Sequence, residues 1–309
     1  MSDERWLVTG ALGCIGAWIA RTLVDEDAAV VGFDLGNDDS RLRLIMEPDE
    51  LARVTLLGGD VTDSAQLGRA LDEHEVTHVV HLAALLVPLA RADPPRGALV
   101  NVVGTTNVFE VVKARRERIR GLAYASSAAV YDVADSAAAL AAEDAVGHPV
   151  TLYGVHKLAN EGTARVYWLE DRVPSVGLRP YVVYGPGRDT GMTAGPTLAM
   201  AAAARGEHFT IGWSGRATLN YAPDTARAFV DAARAATDGA PVYNVPGETV
   251  HMSEVVAAIE AAAPEARIDY EESVLPFPQQ FATGGLATAV TPIAEGVRET
   301  IELFRRRSA

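Results

Sequence analysis

A glycine-rich run, Thr9-Gly10-Ala11-Leu12-Gly13-Cys14-Ile15-Gly16, joins an apolar stretch at Arg5 to Thr9 to a longer amphipathic one at Gly13 to Asp25. No other feature restricts the possible folds so strongly. The first stretch reads as a strand. The second spaces Ile15, Ile19 and Leu23 at i, i+4 and i+8, one apolar face of a helix. Each glycine has its own physical use at such a turn. Gly10 permits the tight bend, Gly13 permits a pyrophosphate to approach the backbone, and Gly16 permits the helix to pack on the strand. The helix N-terminus supplies unpaired N–H groups and partial positive charge for phosphates. With a strand before it and an amphipathic helix after it, the run reads as a dinucleotide-binding turn that also sets Cys14 and Ile15 against the cofactor.

The alternation continues. Ala29 to Phe33, Val54 to Leu57, Val76 to Leu82 and Leu122 to Ala125 read as further strands, with helical patterns between them, including Thr105 to Arg116 with its basic C-terminal cluster. The pattern predicts an α/β fold: a doubly wound parallel Rossmann sheet with a smaller, mixed C-terminal substrate-binding part. Residues 1–184 are expected to form the NAD-binding Rossmann domain, and 185–309 mainly the substrate-binding part. Segments near 220–250 are expected to return to the first domain, with a strand at Val242 to Val245. Helices are expected near Pro196 to Arg205, Asp224 to Ala236, Ser253 to Ala262 and Ile293 to Arg307. Ala-rich tracts at Ser136 to Ala142 and Ala199 to Ala204 are too short to carry a function.

Composition narrows the partners. Of 309 residues 49% are hydrophobic, enough to bury a large core, and the formal net charge of −14 argues against nucleic acid and against an anionic membrane surface. The N-terminus is acidic and polar, unlike a signal peptide, and no apolar run approaches the roughly 20 residues of a spanning helix, so a cytoplasmic location is expected. The single cysteine, Cys14, reads as a small buried filler and leaves no metal site to expect.

Asp34 ends the second strand 18 residues beyond Gly16, where an acidic side chain meets the adenosine ribose. A carboxylate accepts from both ribose hydroxyls and repels a 2′-phosphate, which favours NAD, although Arg41 and Arg43 lie close enough in sequence to keep NADP open. Gly59-Asp60-Val61 is placed to set a carboxylate by the adenine.

Tyr153 and Lys157 stand at i and i+4 in Tyr-Gly-Val-His-Lys, one face of a helix. A free phenol titrates near 10, and a neighbouring ammonium is expected to lower it toward the range useful for a general base. Ser126-Ser127-Ala128-Ala129-Val130-Tyr131 follows the fifth strand at the carboxyl end of the sheet, where open α/β folds bind ligands, so Ser127 is placed to hold the reacting oxygen.

Together these residues make the chain resemble the extended short-chain dehydrogenase/reductase family, in its NAD-dependent epimerase/dehydratase branch. The resemblance rests on Thr9 to Gly16, Asp34, Asp60-Val61, His81 to Ala84, Asn101 to Thr105, Ser126 to Tyr131, Tyr153 to Lys157 and Arg179 to Pro186, within about the first 190 residues. It implies NAD held by Gly10, Gly13, Gly16, Asp34, Asp60, Val61, Leu82, Ala83, Ala84, Asn101 and Ser126, with Pro180, Tyr181, Val182 and Val183 near the nicotinamide. It implies Tyr153 as acid/base, Lys157 on the nicotinamide ribose, and Ser127 on the substrate. It further implies a homodimer built on Thr105 to Arg116 and Tyr153 to Trp168.

The departures point to substrate. Val182 stands where nucleotide-sugar epimerases carry Asn, and of their later diphosphate clamp only Arg216 remains, with Arg188 as an alternative source of charge. Ala128 and Ala129 replace the acidic residues a dehydratase needs, which removes dehydration. Ser127, Ala128, Arg188, Met192, Trp213 and Arg216 are the candidate substrate contacts, and Tyr221 is a further aromatic in that region. His156 is expected on the surface and His81 packed near the cofactor. The function expected is NAD-dependent hydride transfer at a secondary hydroxyl or keto carbon of a carbohydrate-like small molecule: a sugar, sugar acid or polyol. The alternative is a nucleotide-sugar epimerase resembling UDP-hexose 4-epimerases. A non-catalytic NAD-binding redox sensor is a distant third, because it would carry a broken catalytic set.

Overall fold

The computed structural model describes residues 3–132, 147–235 and 237–308; the Ala-rich tract at Ser136 to Ala142 lies outside them. Seven parallel strands form the central sheet in the order β10-β6-β5-β4-β1-β2-β3. Its first half contains β1 (Arg5–Thr9), α1 (Cys14–Asp25), β2 (Ala29–Asp34), α2 (Ser40–Ile45), α3 (Pro48–Leu51), β3 (Val54–Gly58), α4 (Ser64–Glu73) and β4 (His78–His81). Then come α5 (Val87–Ala92), α6 (Pro94–Ala98), a π-helical turn at Leu99–Val103, α7 (Gly104–Lys113) and β5 (Gly121–Ala125). The chain reverses direction across the sheet between β3 and β4, so the cleft above the carboxyl ends of β1 and β4 is the topological switch point where such folds take ligands.

The strands are near-continuous apolar runs because both sheet faces are covered. One core layer packs Trp6, Val8 and Val30 under Ile19, Leu23, Phe229 and Val230; the other packs Leu7, Val31 and Val79 under Leu67, Val108, Phe109 and Val112.

α8 (Leu152–Asp171) leads into β6 (Val176–Arg179), the last consecutive strand of the main sheet. Beyond it, β7 (Val182–Tyr184) leaves that sheet. It pairs parallel with β9 (Arg216–Tyr221), which pairs antiparallel with β11 (Glu248–His251). Between them lie α9 (Gly195–Ala204) and β8 (His208–Ile211). α10 (Ala222–Arg234) packs on α1, and β10 (Val242–Asn244) pairs with β6 at the sheet edge. α11 (Met252–Ala262), β12 (Arg267–Tyr270), paired with β8, and α12 (Ile293–Ser308) complete the second unit around a core that includes Met200, Trp213, Leu219 and Ile259. Among the described residues no helix is long and apolar enough to cross a membrane.

Candidate active site

The glycine turn is a cradle that side chains would fill. Gly10 has φ +72°, and a Cβ there would lie 2.8 Å from the backbone nitrogen of Ala83. A Cβ on Gly16 would lie 2.2 Å from the Gly10 carbonyl oxygen, so the first turn of α1 sits against β1 only because this position has no side chain. The α1 N-cap is Gly13, which makes no side-chain cap, and the first N–H groups of the helix remain available to an anion. Asp34 closes the cradle: its carboxylate accepts from Leu12 N at 3.0 Å and Gly36 N at 3.1 Å. The chemistry and the absence of Cβ atoms fit a dinucleotide.

A cleft of about 770 Å³ opens along this cradle. Gly10, Gly13, Cys14, Ile15, Gly16, Asp34, Asp60, Val61, Leu82, Ala83, Ala84, Ser126, Ser127, Tyr153, Lys157, Tyr181, Val183, Arg188 and Met192 all line it. Asp60 accepts from Thr62 N and Oγ1, at 2.9 and 2.8 Å, and pairs with Arg96 at 3.1 Å. His81 lies beneath, its ring nitrogens 2.7 Å from Thr9 Oγ1 and 3.0 Å from Thr105 Oγ1; burial pushes its pKa down to about 3, so it stays neutral. The ring therefore packs beneath the cleft and carries no charge near neutral pH.

Five expected contacts lie elsewhere. Asn101 is fully buried with its amide occupied: Oδ1 accepts from Leu85 N at 2.7 Å, and Nδ2 donates to Leu85 O at 2.9 Å. It acts on the cleft indirectly, by clamping the segment that becomes its wall. Val182 is fully buried in the second core because β7 pairs with β9, turning its side chain away while Tyr181 and Val183 face the cleft. Ala128 is buried beneath the turn after Ser127, against Val130, Tyr131 and Phe281. Trp213 is a core residue of the second unit. Arg216 is exposed and turned to Thr249 O at 2.8 Å and Glu254 at 3.7 Å. Tyr221 also belongs to the second core, its hydroxyl donating to Glu299 at 3.1 Å. His156, expected on the surface, is buried with Nδ1 3.3 Å from Asn101 Nδ2, because α7 and α8 pack closely here.

The wall that sequence reasoning missed is apolar: Leu85, Leu86, Val87, Pro88 and Leu89 from the start of α5, with Phe277 opposite. Five apolar residues in a row after β4 signal a buried or ligand-facing loop, but nothing in their spacing says which. Phe277 carries no local signal at all.

The reactive groups converge at one end of the cleft. Thr151 caps α8, accepting from Gly154 N at 3.0 Å, and the helix then presents Tyr153 and Lys157 on one face. Tyr153 and Ser127 share a hydrogen bond. Lys157 Nζ donates to Ala125 O at 2.6 Å and stands 5.5 Å from the centre of the Tyr153 ring. Burial brings Lys157 down to about 8, with Glu161 acting in the opposite direction. The Tyr153 phenol goes up, not down as the spacing predicts. Burial outweighs the stabilising hydrogen bond from Ser127 and the charge of Arg188. Arg188 donates to Thr193 Oγ1 at 3.0 Å, and its buried Nε has no partner among the described residues.

A Rossmann cradle with an acidic ribose position, opening toward a phenol, an ammonium and a hydroxyl, defines a pyridine-nucleotide enzyme rather than a passive binder. Residues 6–246 match the sequence profile of the NAD-dependent epimerase/dehydratase family, and the chain belongs to that family. NAD is its cofactor. UDP-glucuronate 4-epimerase 6 of Arabidopsis thaliana is 33% identical over 184 residues, covering 58% of this chain and 40% of that protein, so the match spans less than half of the relative's length. Across 98% of this chain, the fold is similar to UDP-glucose 4-epimerase of Thermus thermophilus solved with NAD (99% of that chain, 25% identity, TM-score 0.80). It is equally similar in fold to an L-threonine dehydrogenase of Clostridium difficile, with 98% of both chains covered, 20% identity and a TM-score of 0.84.

Proposed function

We propose that the protein moves a hydride between NAD and a secondary hydroxyl or keto carbon of a sugar, sugar acid or polyol. The observation that carries this reading is the hydrogen-bonded Ser127–Tyr153 pair beside Lys157 in the cleft that the glycine turn opens. NAD held by the glycine turn and Asp34 would supply the hydride acceptor. In the oxidation, Tyr153 Oη takes the hydroxyl proton as the carbonyl forms, and Ser127 Oγ holds the same oxygen. Lys157, its position fixed by Ala125 O, would anchor the nicotinamide ribose, and Arg188 supplies the positive charge felt by Tyr153. Arg188 lines the cleft, and its guanidinium suits an anionic group and so favours a sugar acid.

A nucleotide-sugar epimerase is the second reading, and the names of the relatives favour it. Against it stands the outward turn of Arg216 and the burial of Val182, which leave Arg188 as the one member of that diphosphate-binding set lining the cleft among the described residues. Incubation with NAD and a panel of free, acidic and nucleotide-linked sugars distinguishes the two. NADH accumulating with an unlinked sugar is the expected result; epimers forming with no NADH overturn it. Exposed Leu99, Val103, Leu152, Val155, Val166 and Leu169, lying on and beside α7 and α8, support the homodimer.

Lys157 also sets a pH dependence. With its pKa near 8 the side chain is an ammonium below that pH and an amine above it. NAD affinity is expected to fall about tenfold as pH rises from 7 to 9.5, the loss of one charge-assisted hydrogen bond. Lys157→Met is expected to bind weakly at every pH, without that transition. Calorimetric titration with NAD checks both, and a flat wild-type profile rejects the role.

A further inference from the structure

Asp34 does not act alone at the adenosine end of the cleft. Its carboxylate takes the backbone N–H of Leu12, while Arg41 Nη1 donates to the carbonyl of the same residue at 2.9 Å. The acidic ribose position and a guanidinium thus flank one residue of the glycine turn, and both line the cleft. An arginine so placed is the feature by which Rossmann folds accommodate the 2′-phosphate of NADP. The other candidate, Arg43, is exposed, paired with Asp39 at 2.7 Å, and does not line the cleft.

Arg41 is already engaged. Asp189 holds it in a forked contact, with Nε 3.1 Å from both carboxylate oxygens and Nη2 2.6 Å from one of them. Asp189 comes from the second unit, on the segment after β7. That segment is drawn over the glycine turn by Trp18 Nε1, which donates to Pro186 O at 2.8 Å. It bends at Gly187, whose φ of +88° suits glycine, and a Cβ there would lie 3.8 Å from Arg41 Cβ. Planar forked pairing is the same geometry a phosphate would require of the guanidinium, so carboxylate and phosphate compete for one surface.

We propose that Asp189 is a cofactor-specificity residue: by occupying Arg41 it withholds the guanidinium beside Asp34 from a 2′-phosphate, and so enforces NAD over NADP. Asp34 repels the phosphate directly; Asp189 removes the group that would otherwise attract it. The choice is made in cofactor binding alone, independently of what substrate the enzyme takes.

Calorimetric titration of the purified, cofactor-free protein with NAD and with NADP tests this without any turnover. Asp189→Asn, which keeps the shape and removes the charge, is expected to tighten NADP about tenfold relative to NAD, with NAD itself unchanged within about twofold. Asp189→Ser should behave alike, and the double variant Asp189→Asn/Arg41→Ala should return to the wild-type ratio. Titration with 2′,5′-ADP should reproduce the gain, placing it at the adenosine end. The proposal is overturned if the NADP-to-NAD ratio stays within twofold of wild type in both single variants, or if the gain survives loss of Arg41. Equal weakening of both cofactors overturns it too, since Asp189 would then only fasten the segment over the glycine turn.

Discussion

Tyr153→Phe is expected to lower the rate of hydride transfer by about 10²- to 10⁴-fold while leaving NAD affinity and thermal stability near those of the wild type. The separation follows from the surroundings of the phenol. The ring keeps its packing beside the Tyr181–Phe277 cluster in the variant, and the hydroxyl has Ser127 as its hydrogen-bond partner. Only the proton-carrying atom is lost. Burial holds the phenol above its ordinary pKa, so the oxidative rate in the wild type should rise with pH as the phenolate becomes accessible, and the variant should lose that rise. Single-turnover measurements at several pH values check both statements. A variant that keeps more than a tenth of the wild-type rate rejects Tyr153 as the acid/base.

Glu161→Ala should have the largest effect on stability. Glu161 lies one helical turn beyond Lys157 and receives Arg179 through Nε and Nη2, both at 2.7 Å, as well as the hydroxyl of Ser126. Arg179 also reaches the Tyr131 hydroxyl, which donates to Asn244 at 3.1 Å. The two charged residues are 9% and 6% exposed, so removing the carboxylate takes a forked, charge-assisted contact away from a buried guanidinium. The expected cost is about 3–5 kcal/mol. That corresponds to a Tm lower by roughly 5–8 °C. Pairing the change with Arg179→Leu should recover much of the loss, because the buried guanidinium is then gone as well. If scanning calorimetry shows Glu161→Ala within about 1 kcal/mol of the wild type, this pair is not holding the strand ends together. The network braces Ser126 beside Ser127 and fixes the helix that carries Lys157, so it joins the stability of the fold to the geometry of its reactive end.

Sequence reading recovered what is local and lost what is not. The glycine turn, Asp34 and the Tyr153–Lys157 spacing are each encoded within a few residues, by backbone conformation or helical period, and the structure places all of them on the cleft. The return of β10 to the sheet was legible as a short apolar strand. Asn101, Val182 and Trp213 were misplaced because burial against another element, not their own spacing, decides where their side chains point. The Glu161–Arg179 pair and the Arg41–Asp189 pair left no trace in sequence, since their members are separated by whole elements and by different partners' needs. The expected lowering of the Tyr153 phenol failed for a related reason: a charged neighbour can be inferred from spacing, but the depth of burial opposing it cannot.

The path of the chain through α10 and β10 has a practical meaning for protein engineering. The segments of the second unit before α10 and after β10 are not a detachable module, because α10 covers α1 and β10 completes the edge of the sheet beside β6. A chimaera cut once near residue 184 would therefore import a foreign lid for the nucleotide half together with the new specificity, whereas exchanging the two flanking blocks and keeping 222–244 preserves the half that must stay intact. Exchange of the second unit in this architecture is accordingly a matter of moving two blocks of helices and strands around a retained helix and strand.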